Sequence, residues 1–249
     1  MADPNTVANA FVQAFYNSLD SNRAQIGDYF KDVSTLSFEG DTVAGAAAIV
    51  QKVNSLGLPA NATRRVTATD AQESSLGSGA IVIFITGEWM GQQYQEAYQL
   101  VPNGNNGYYV HNWIIRIGMN NPFNVPDEAS EVAKQFLQFY YTTYDGGPEK
   151  RQTLGNLYSP NSNFSFEGNP LKGRDAIMAR IMELPPAQHD PNMSVDVQMI
   201  NGTEIVMVFV TGQESLDNSN PIRFAQMFIL QKQNASYIIG NQVFRLNYG

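Results

Sequence analysis

The chain has 249 residues, 43% of them hydrophobic and 15% charged, so it can bury two cores and does not have the composition of a disordered protein. Its formal net charge of −8 argues against nucleic acid or an anionic membrane as a direct partner, because phosphate binding needs clustered Lys and Arg, and it favours a basic protein partner. The chain contains no cysteine, which excludes disulfides and thiolate metal sites.

The first half of the chain predicts helices followed by strands. Apolar residues recur at helical spacing over 4–20, a second short helix follows and ends near residue 31, and 45–56 is helical again. Between these helices, 35–38 and 42–43 predict two short strands around a tight turn. After Gly57 the apolar period changes to alternation. This change predicts four antiparallel strands, at 66–69, 80–87, 94–101 and 108–117.

The second half repeats this order. Its predicted elements are helices near 127–145, 149–158 and 174–183, strands around Phe166 and Leu171, and further strands between 193 and 246. Helices that cover one face of a curved antiparallel sheet make each half an α+β domain. We expect no membrane insertion and no export, because no apolar run approaches about 18 residues and the start lacks a signal region.

Four sequence blocks occur twice in the same order. Ser37-Phe38-Glu39-Gly40 returns as Ser165-Phe166-Glu167-Gly168, and the helix block 11–16 returns at 136–141. The other two blocks are Thr86-Gly87 with Thr211-Gly212, and 112–116 with 241–245. A repeat of this length predicts two complete domains, at 1–117 and 127–249, joined by a linker at 118–126.

These blocks resemble the nuclear transport factor 2 family over nearly the whole chain, twice. The resemblance rests on Phe-x-Gln-x-Phe/Tyr-Tyr in the first helix of each half, on Asp20, Arg23 and Gly27, on the Phe-Glu-Gly turns, and on the closing stretch 241–248. It implies a cone in each half, formed by a bent antiparallel sheet that wraps around a long helix and leaves an apolar cavity. Members of the transport type are homodimers that pack through their sheets, so two fused copies imply a monomer with an intramolecular pseudo-dimer.

The resemblance also implies partners. Transport members bind the GDP form of the small GTPase Ran and the phenylalanine-glycine repeats of nucleoporins, and they carry Ran into the nucleus. We therefore expect a transport carrier in the cytoplasm, in the nucleus and at the nuclear pore, without a cofactor or a metal. The family's aromatic contact for nucleoporin repeats is replaced here by Pro4 and Ala129, which predicts weakened binding, and Phe123 could substitute for it.

In the family, an aromatic residue of Ran enters the mouth of the cavity, and a rim of carboxylates binds Ran's basic residues. The family's acidic turn keeps Asp217, whereas its second carboxylate has become Ser219 or Asn220. The first half has a shorter turn at 89–91, so we expect Ran to bind mainly to the second domain. The resemblance assigns partner contacts to Glu167, Asp217, Phe166, Phe244, Leu184 and Leu216 in the second half and to Glu39 and Phe38 in the first, where Leu56 matches Leu184 and Ile115 matches Phe244.

Three other interpretations remain open. Phe38 and Phe166 are explained equally well as core aromatics of any such fold. Export-factor and stress-granule relatives use the same domain as a protein-docking module that does not bind Ran. Related enzymes of the steroid isomerase type need carboxylates inside an apolar pocket. We expect no enzyme here, because the acids Asp41, Asp70, Glu73, Glu214 and Asp217 are predicted at turns, and because His111 and His189 are predicted to be isolated.

Overall fold

The computed structural model describes residues 3–57, 64–74, 79–104, 107–117, 128–200, 203–217, 219–234 and 236–247. The chain divides into two compact units, Met1–Gly118 and Met119–Gly249, and each is described by itself. The predicted linker 118–126 and Phe123 lie outside the described residues. No helix in the described ranges has the length and apolar character that crossing a membrane requires.

The first unit begins with a long amphipathic helix. The Asp3 carboxylate accepts a hydrogen bond from the Thr6 backbone N–H at 2.9 Å and so caps the helix, while Pro4 occupies its first turn. The elements are α1 (Pro4–Ser21), a 3-10 helix (Arg23–Tyr29), β1 (Phe30–Phe38), β2 (Asp41–Ala44), α2 (Ala46–Ser55), β3 (Arg64–Glu73), β4 (Ile81–Trp89), β5 (Gln92–Pro102) and β6 (Tyr108–Ile117).

The second unit repeats this order and adds one helical turn and one strand. Its elements are α3 (Glu128–Asp145), α4 (Pro148–Arg151), a 3-10 helix (Gln152–Leu157), β7 (Tyr158–Phe166), β8 (Asn169–Lys172), α5 (Arg174–Glu183), β9 (Ala187–His189), β10 (Ser194–Met199), β11 (Ile205–Leu216), β12 (Ile222–Gln233) and β13 (Ser236–Asn247). The predicted α+β architecture with two similar halves is confirmed. The predicted helix near 149–158 is wrong in detail, because it consists of the single turn α4 and a 3-10 helix.

Each unit contains one sheet, and neither sheet is purely antiparallel. The strand order is β2-β1-β6-β5-β4-β3 in the first unit and β10-β11-β12-β13-β7-β8 in the second, with β9 also paired to β11. The strand pairs β1 with β6 and β7 with β13 are parallel, which differs from the expected antiparallel sheet. A parallel pair needs a long connection, and here that connection is most of the domain.

The long helix of each unit packs against the inner face of its sheet. In the first unit Phe15 lies at the centre of an aromatic cluster, with ring centroids 5.2 Å from Trp113, 5.3 Å from Phe11 and 5.8 Å from Tyr98. In the second unit Tyr140 takes the matching position and lies 5.0 Å from Phe228. These rings pack each long helix onto its sheet, and Tyr140 also lines the candidate site.

Candidate functional site

A small cavity lies between the sheet, α3 and α5 of the second unit. The cavity is small: its volume of about 10 Å³ leaves room for roughly one water molecule. The lining side chains come from most elements of the unit: Tyr140 and Tyr144 from α3, Phe164 and Phe166 from β7, Ile181 from α5, Leu184 after it, His189 from β9, Glu214 from β11, Gln226 from β12, and Gln242 and Phe244 from β13.

One wall of this cavity is a stack of aromatic rings. Phe166 lies flat on Phe244, with centroids 5.2 Å apart and an interplanar angle of 2°, and Phe244 continues the stack onto Phe224 at 5.8 Å. The Arg180 guanidinium lies 4.7 Å from the centroid of Phe166. The structure thus brings together Phe166, Phe244 and Leu184, which the resemblance places on the cavity wall.

The polar part of the lining is a histidine between two acids, and the His189 ring packs edge-on against Phe224, at 5.2 Å between centroids. Nδ1 of His189 lies 2.6 Å from the Asp145 carboxylate, and Nε2 lies 3.2 Å from the Glu214 carboxylate. The side chains of His189 and Glu214 are only 5% and 4% exposed. The expectation of an isolated histidine is therefore wrong for His189, because β9 pairs with β11 and places His189 directly opposite Glu214. Within the described residues, no three His, Cys, Asp or Glu side chains converge on a possible metal position.

Burial controls the electrostatics of this wall. Burial raises the pKa of the Glu214 carboxyl above its usual range, although the neighbouring His189 acts in the opposite direction. The amides behind the histidine are satisfied: Tyr141 donates to Gln226 Oε1 at 2.8 Å, and Gln242 accepts from Tyr158 at 2.6 Å. A buried carboxylate beside an imidazole gives the cavity a polar, acidic part next to the aromatic stack.

Glu39 and Glu167 hold matching turns in the two units. Both residues have left-handed backbone conformations, with φ of 51° and 50°. One carboxylate oxygen of each accepts a backbone N–H of the last strand, from Ile117 and Leu246 respectively. Both side chains are partly exposed, so they can fix the turn and still present a carboxylate oxygen at the edge of the cone.

The turn after β11 places its residues away from the cavity lining. Asp217 is exposed with φ of 48°, and its N–H donates to the Pro186 carbonyl at 2.9 Å. Leu216 pairs with Ala187 of β9 and is partly exposed. Neither Asp217 nor Leu216 is among the residues that line the cavity.

In the first unit, Arg64 occupies the position that matches His189. Arg64 pairs with Trp89 across β3 and β4, as His189 pairs with Glu214. Its guanidinium lies 4.4 Å from the Trp89 ring and 4.2 Å from the Tyr16 ring, and Nη1 is 3.3 Å from Asp20. The Arg64 side chain is only 2% exposed, so this end of the first domain contains a cation from its own chain.

A second acid missed by sequence reasoning lies behind Arg64. Glu96 on β5 is completely buried and accepts hydrogen bonds from the Tyr16 hydroxyl and, at 2.7 Å, from the Tyr98 hydroxyl. Burial raises the pKa of this carboxyl, and the nearby Arg64 opposes the shift. The prediction that the named acids lie at turns is wrong for Glu214, which lies within β11, and for Asp70, which is buried within β3. The sequence signal that could have identified this acid is a glutamate between two tyrosines within a predicted strand, Tyr94-Gln95-Glu96-Ala97-Tyr98.

Comparisons with known proteins agree with this architecture. A family model described as the nuclear transport factor 2 (NTF2) domain matches residues 7–117 and 132–246. The nuclear transport factor 2 of Schizosaccharomyces pombe is 39% identical over 124 residues, which cover 49% of this chain and 98% of that protein. The solved structure of nuclear transport factor 2 from Cryptosporidium parvum matches with 32% identity and a TM-score of 0.43, covering 50% of this chain and 99% of the other. The structure of the yeast UBP3-associated protein BRE5 matches with 18% identity and a TM-score of 0.44, covering 48% of this chain and 100% of the other.

Proposed function

The chain belongs to the nuclear transport factor 2 family through both of its halves, and we propose that it is a nuclear transport carrier that binds the GDP form of Ran through its second domain. A full-length relative matches only about half of this chain, so the carrier combines two family domains. In this proposal the second domain docks Ran, and nucleoporin repeats bind more weakly than they do to an ordinary member.

The arrangement of the second-domain cavity carries this proposal. A flat aromatic stack, Phe166 on Phe244, and the carboxylate of Glu214 line the same cavity, and Glu167 directly follows Phe166 in the turn after β7. Protein interfaces often combine an aromatic anchor with charged pairs around it. In the first domain, Arg64 already neutralises the matching position, and Ile115 replaces the outer aromatic. The two domains are therefore unequal as docking sites.

Calorimetry with Ran in its GDP and GTP forms tests the proposal. We expect one Ran-GDP per chain and weaker binding of Ran-GTP. Glu167→Lys should weaken binding by at least about thirtyfold, since losing the partner of a buried basic side chain costs roughly 2–5 kcal/mol and each 1.4 kcal/mol is tenfold. Glu39→Lys breaks the same type of backbone contact in the first domain and is the matched control, with little expected effect. Two Ran molecules per chain, or equal sensitivity to both substitutions, would contradict the assignment.

A protein-docking module that does not bind Ran is the second candidate. The observation that favours it is the first domain, where Arg64, Trp89 and Asp20 fill the matching position from within. A chain that had lost Ran binding in both domains would give no heat with either nucleotide form in the same calorimetry. Retained binding of Ran-GDP would exclude this candidate.

We propose that neither domain catalyses a reaction. Glu96 is held by two tyrosine hydroxyls, and the second cavity has room for about one water, which favours docking over turnover. A small carbonyl compound that binds in either domain and is converted would contradict this. We also propose a location in the cytoplasm, in the nucleus and at the nuclear pore, and a fluorescent fusion excluded from the nucleus would overturn it.

A further inference from the structure

We propose that Glu214 supplies the second carboxylate of the docking site, and that it receives an arginine side chain of the protein partner. This inference rests on the proposed docking function of the second domain and names the chemistry that this site recognises. The acidic turn provides Asp217, but its other candidate positions are Ser219 and Asn220, which carry no charge. The carboxylate of Glu214, which lies on β11 just before this turn, lines the cavity instead.

Glu214 and His189 line two hollows at once. One is the small aromatic cavity, and the other is an open groove of about 430 Å³ beside strands β9 and β11. The other residues of the groove are Gln188, Asp190, Pro191, Gln213, Ser215 and Pro221. A long side chain that lies in this groove can therefore reach Glu214 without entering the closed end of the cavity.

The carboxylate of Glu214 is incompletely satisfied. Its Oε2 contacts Nε2 of His189, whereas its Oε1 accepts no hydrogen bond from any residue in the described part of the chain. An ionised carboxylate with only 4% of its side chain exposed costs free energy unless a second donor reaches it. Arg151, whose charge also acts on Glu214, does not supply that donor, because its guanidinium donates to the carbonyls of Tyr144, Leu184 and Pro185.

The surrounding charges favour a cationic ligand. Asp145 and Glu167 add to the negative potential at Glu214, and the groove itself contains Asp190. A cation bound at Glu214 is therefore stabilised by the negative potential of several carboxylates.

The first domain shows which cation this fold accepts. There the guanidinium of Arg64 lies between Asp20 and the rings of Tyr16 and Trp89 at the matching position. The shorter His189 reaches Asp145 and one oxygen of Glu214 but leaves the other oxygen open. A guanidinium also stacks on rings and binds carboxylates through two N–H groups, which an ammonium does not do. Arginine is therefore the residue that the geometry selects.

Titration with N-acetyl-arginine amide, followed by amide NMR shifts of the whole chain, tests this inference without Ran. N-acetyl-citrulline amide has the same shape without the charge and is the ligand control. We expect saturable shifts at Gln213 and Ser215 with the arginine compound only. Glu214→Gln should weaken this binding at least tenfold. Glu204→Gln removes the same charge from a side chain that is 69% exposed and should leave the binding unchanged.

Several outcomes separate this inference from the proposed function. If arginine binds but Ran-GDP does not, the Ran proposal fails and Glu214 remains the arginine site of another partner. If Ran-GDP binds while the arginine compound gives no shifts, or shifts equal to those of citrulline, the inference is overturned. Unchanged arginine binding in a Glu214→Gln protein that unfolds at the wild-type temperature would also overturn it.

Discussion

Arg64 lies at the start of strand β3 in the first domain, and His189 lies at the end of strand β9 in the second. Both side chains lie beside the acid that ends the long helix, Asp20 or Asp145, and both contact the tyrosine one turn earlier. Arginine extends further and stays charged at every accessible pH. The first domain therefore has a guanidinium where the second has the shorter imidazole of His189, and the residue opposite is Trp89 in the first domain and Glu214 in the second.

Removing the internal guanidinium should destabilise the first domain strongly. Arg64→Ala leaves Glu96 and Asp20 without their cation, and breaking a buried ion pair costs about 3–5 kcal/mol. The adjacent Arg65 is the matched control, because its ion pair with Glu88 is exposed and such pairs contribute about 0–1 kcal/mol. The free energies of unfolding come from urea denaturation. Equal losses for the two substitutions would show that Arg64 is not an energetic centre of this domain.

Stability should depend on pH through Glu214. Burial raises the pKa of this carboxyl in the folded chain, so the native state binds its proton more tightly than the unfolded state does. Stability is then lost as the pH rises through the folded pKa and is regained below the unfolded one. His189, Asp145, Arg151 and Glu167 act on the same group and set the size of the effect.

Glu214→Gln removes this titration while keeping an acceptor for His189. We expect the stability of this variant, relative to wild type, to be more favourable near pH 8 than near pH 4, measured by thermal unfolding in both buffers. Glu204→Gln, at an exposed position, should show no such trend. A relative stability of Glu214→Gln that falls with rising pH would contradict the sign of the shift.

At the scale of elements, helical period and strand alternation were sufficient for most of the fold. The apolar spacing of α1 and the alternation in β4 to β6 predicted these elements, because each depends on neighbours close in sequence. The short helices after α1 and α3 are 3-10 turns instead, and each contains a glycine, Gly27 or Gly155, which disfavours a continued α-helix.

The candidate site was only half predictable, for a physical reason. Phe166 and Phe244 were found because they lie in repeated blocks, whereas His189 lies on a strand of three residues, too short to show alternation. Its partner Asp145 is 44 positions away in sequence, so only the pairing of β9 with β11 brings the cluster together. The parallel pairing of β1 with β6 was missed for the same reason, since no local pattern encodes a distant partner.

The turn that carries Glu167 should be sensitive to its glycine. Gly168 has φ of +81°, and a Cβ there would lie 2.7 Å from Nη2 of Arg245. Gly91 has φ of +76°, but a Cβ there meets no described atom within 4 Å. Both alanine substitutions cost about 1–3 kcal/mol of backbone strain, and only Gly168→Ala should also displace Arg245 and weaken partner binding. Urea denaturation and calorimetry measure the two effects, and equal binding in both variants would contradict the argument.

The start of each long helix should bind nucleoporin repeats poorly. Ala129 is only 3% exposed and packs in the core of its own domain, so it cannot present a side chain to a peptide. Pro4 lies in the first turn of α1 and offers little of the contact area of an aromatic ring. Titration with a phenylalanine-glycine peptide should give an affinity clearly below that of a single-domain family member. Equal affinity, with NMR shifts centred on Pro4 and Ala129, would refute this.

At the scale of the whole molecule, two copies in one chain allow the docking sites to differ. In a homodimer a change such as His to Arg would alter both sites, whereas here the Arg64 position is independent of the His189 position. The formal charge of −8 is shared by two domains. Only the acidic cluster of the first domain contains a permanently charged cation of its own, Arg64. This asymmetry accounts for the expected ratio of one Ran per chain.

The same reasoning predicts a monomer in solution. In β4, Ile81, Ile83 and Ile85 belong to the core of the first domain, so the alternating Val82 and Phe84 point to the other side of the sheet. In β11 the core residues Val206, Val208 and Val210 likewise alternate with Met207 and Phe209. Each sheet therefore has a second apolar face.

An apolar sheet face needs a cover, and the resemblance implies that transport members provide it by pairing two chains. We therefore expect that this chain, which has two such faces, does not need a second copy. Light scattering across a dilution series should therefore give a constant mass near 27.5 kDa. A mass close to twice this value that persists on dilution would show that the faces are covered by another copy, and it would also predict two docking sites per particle in the Ran calorimetry.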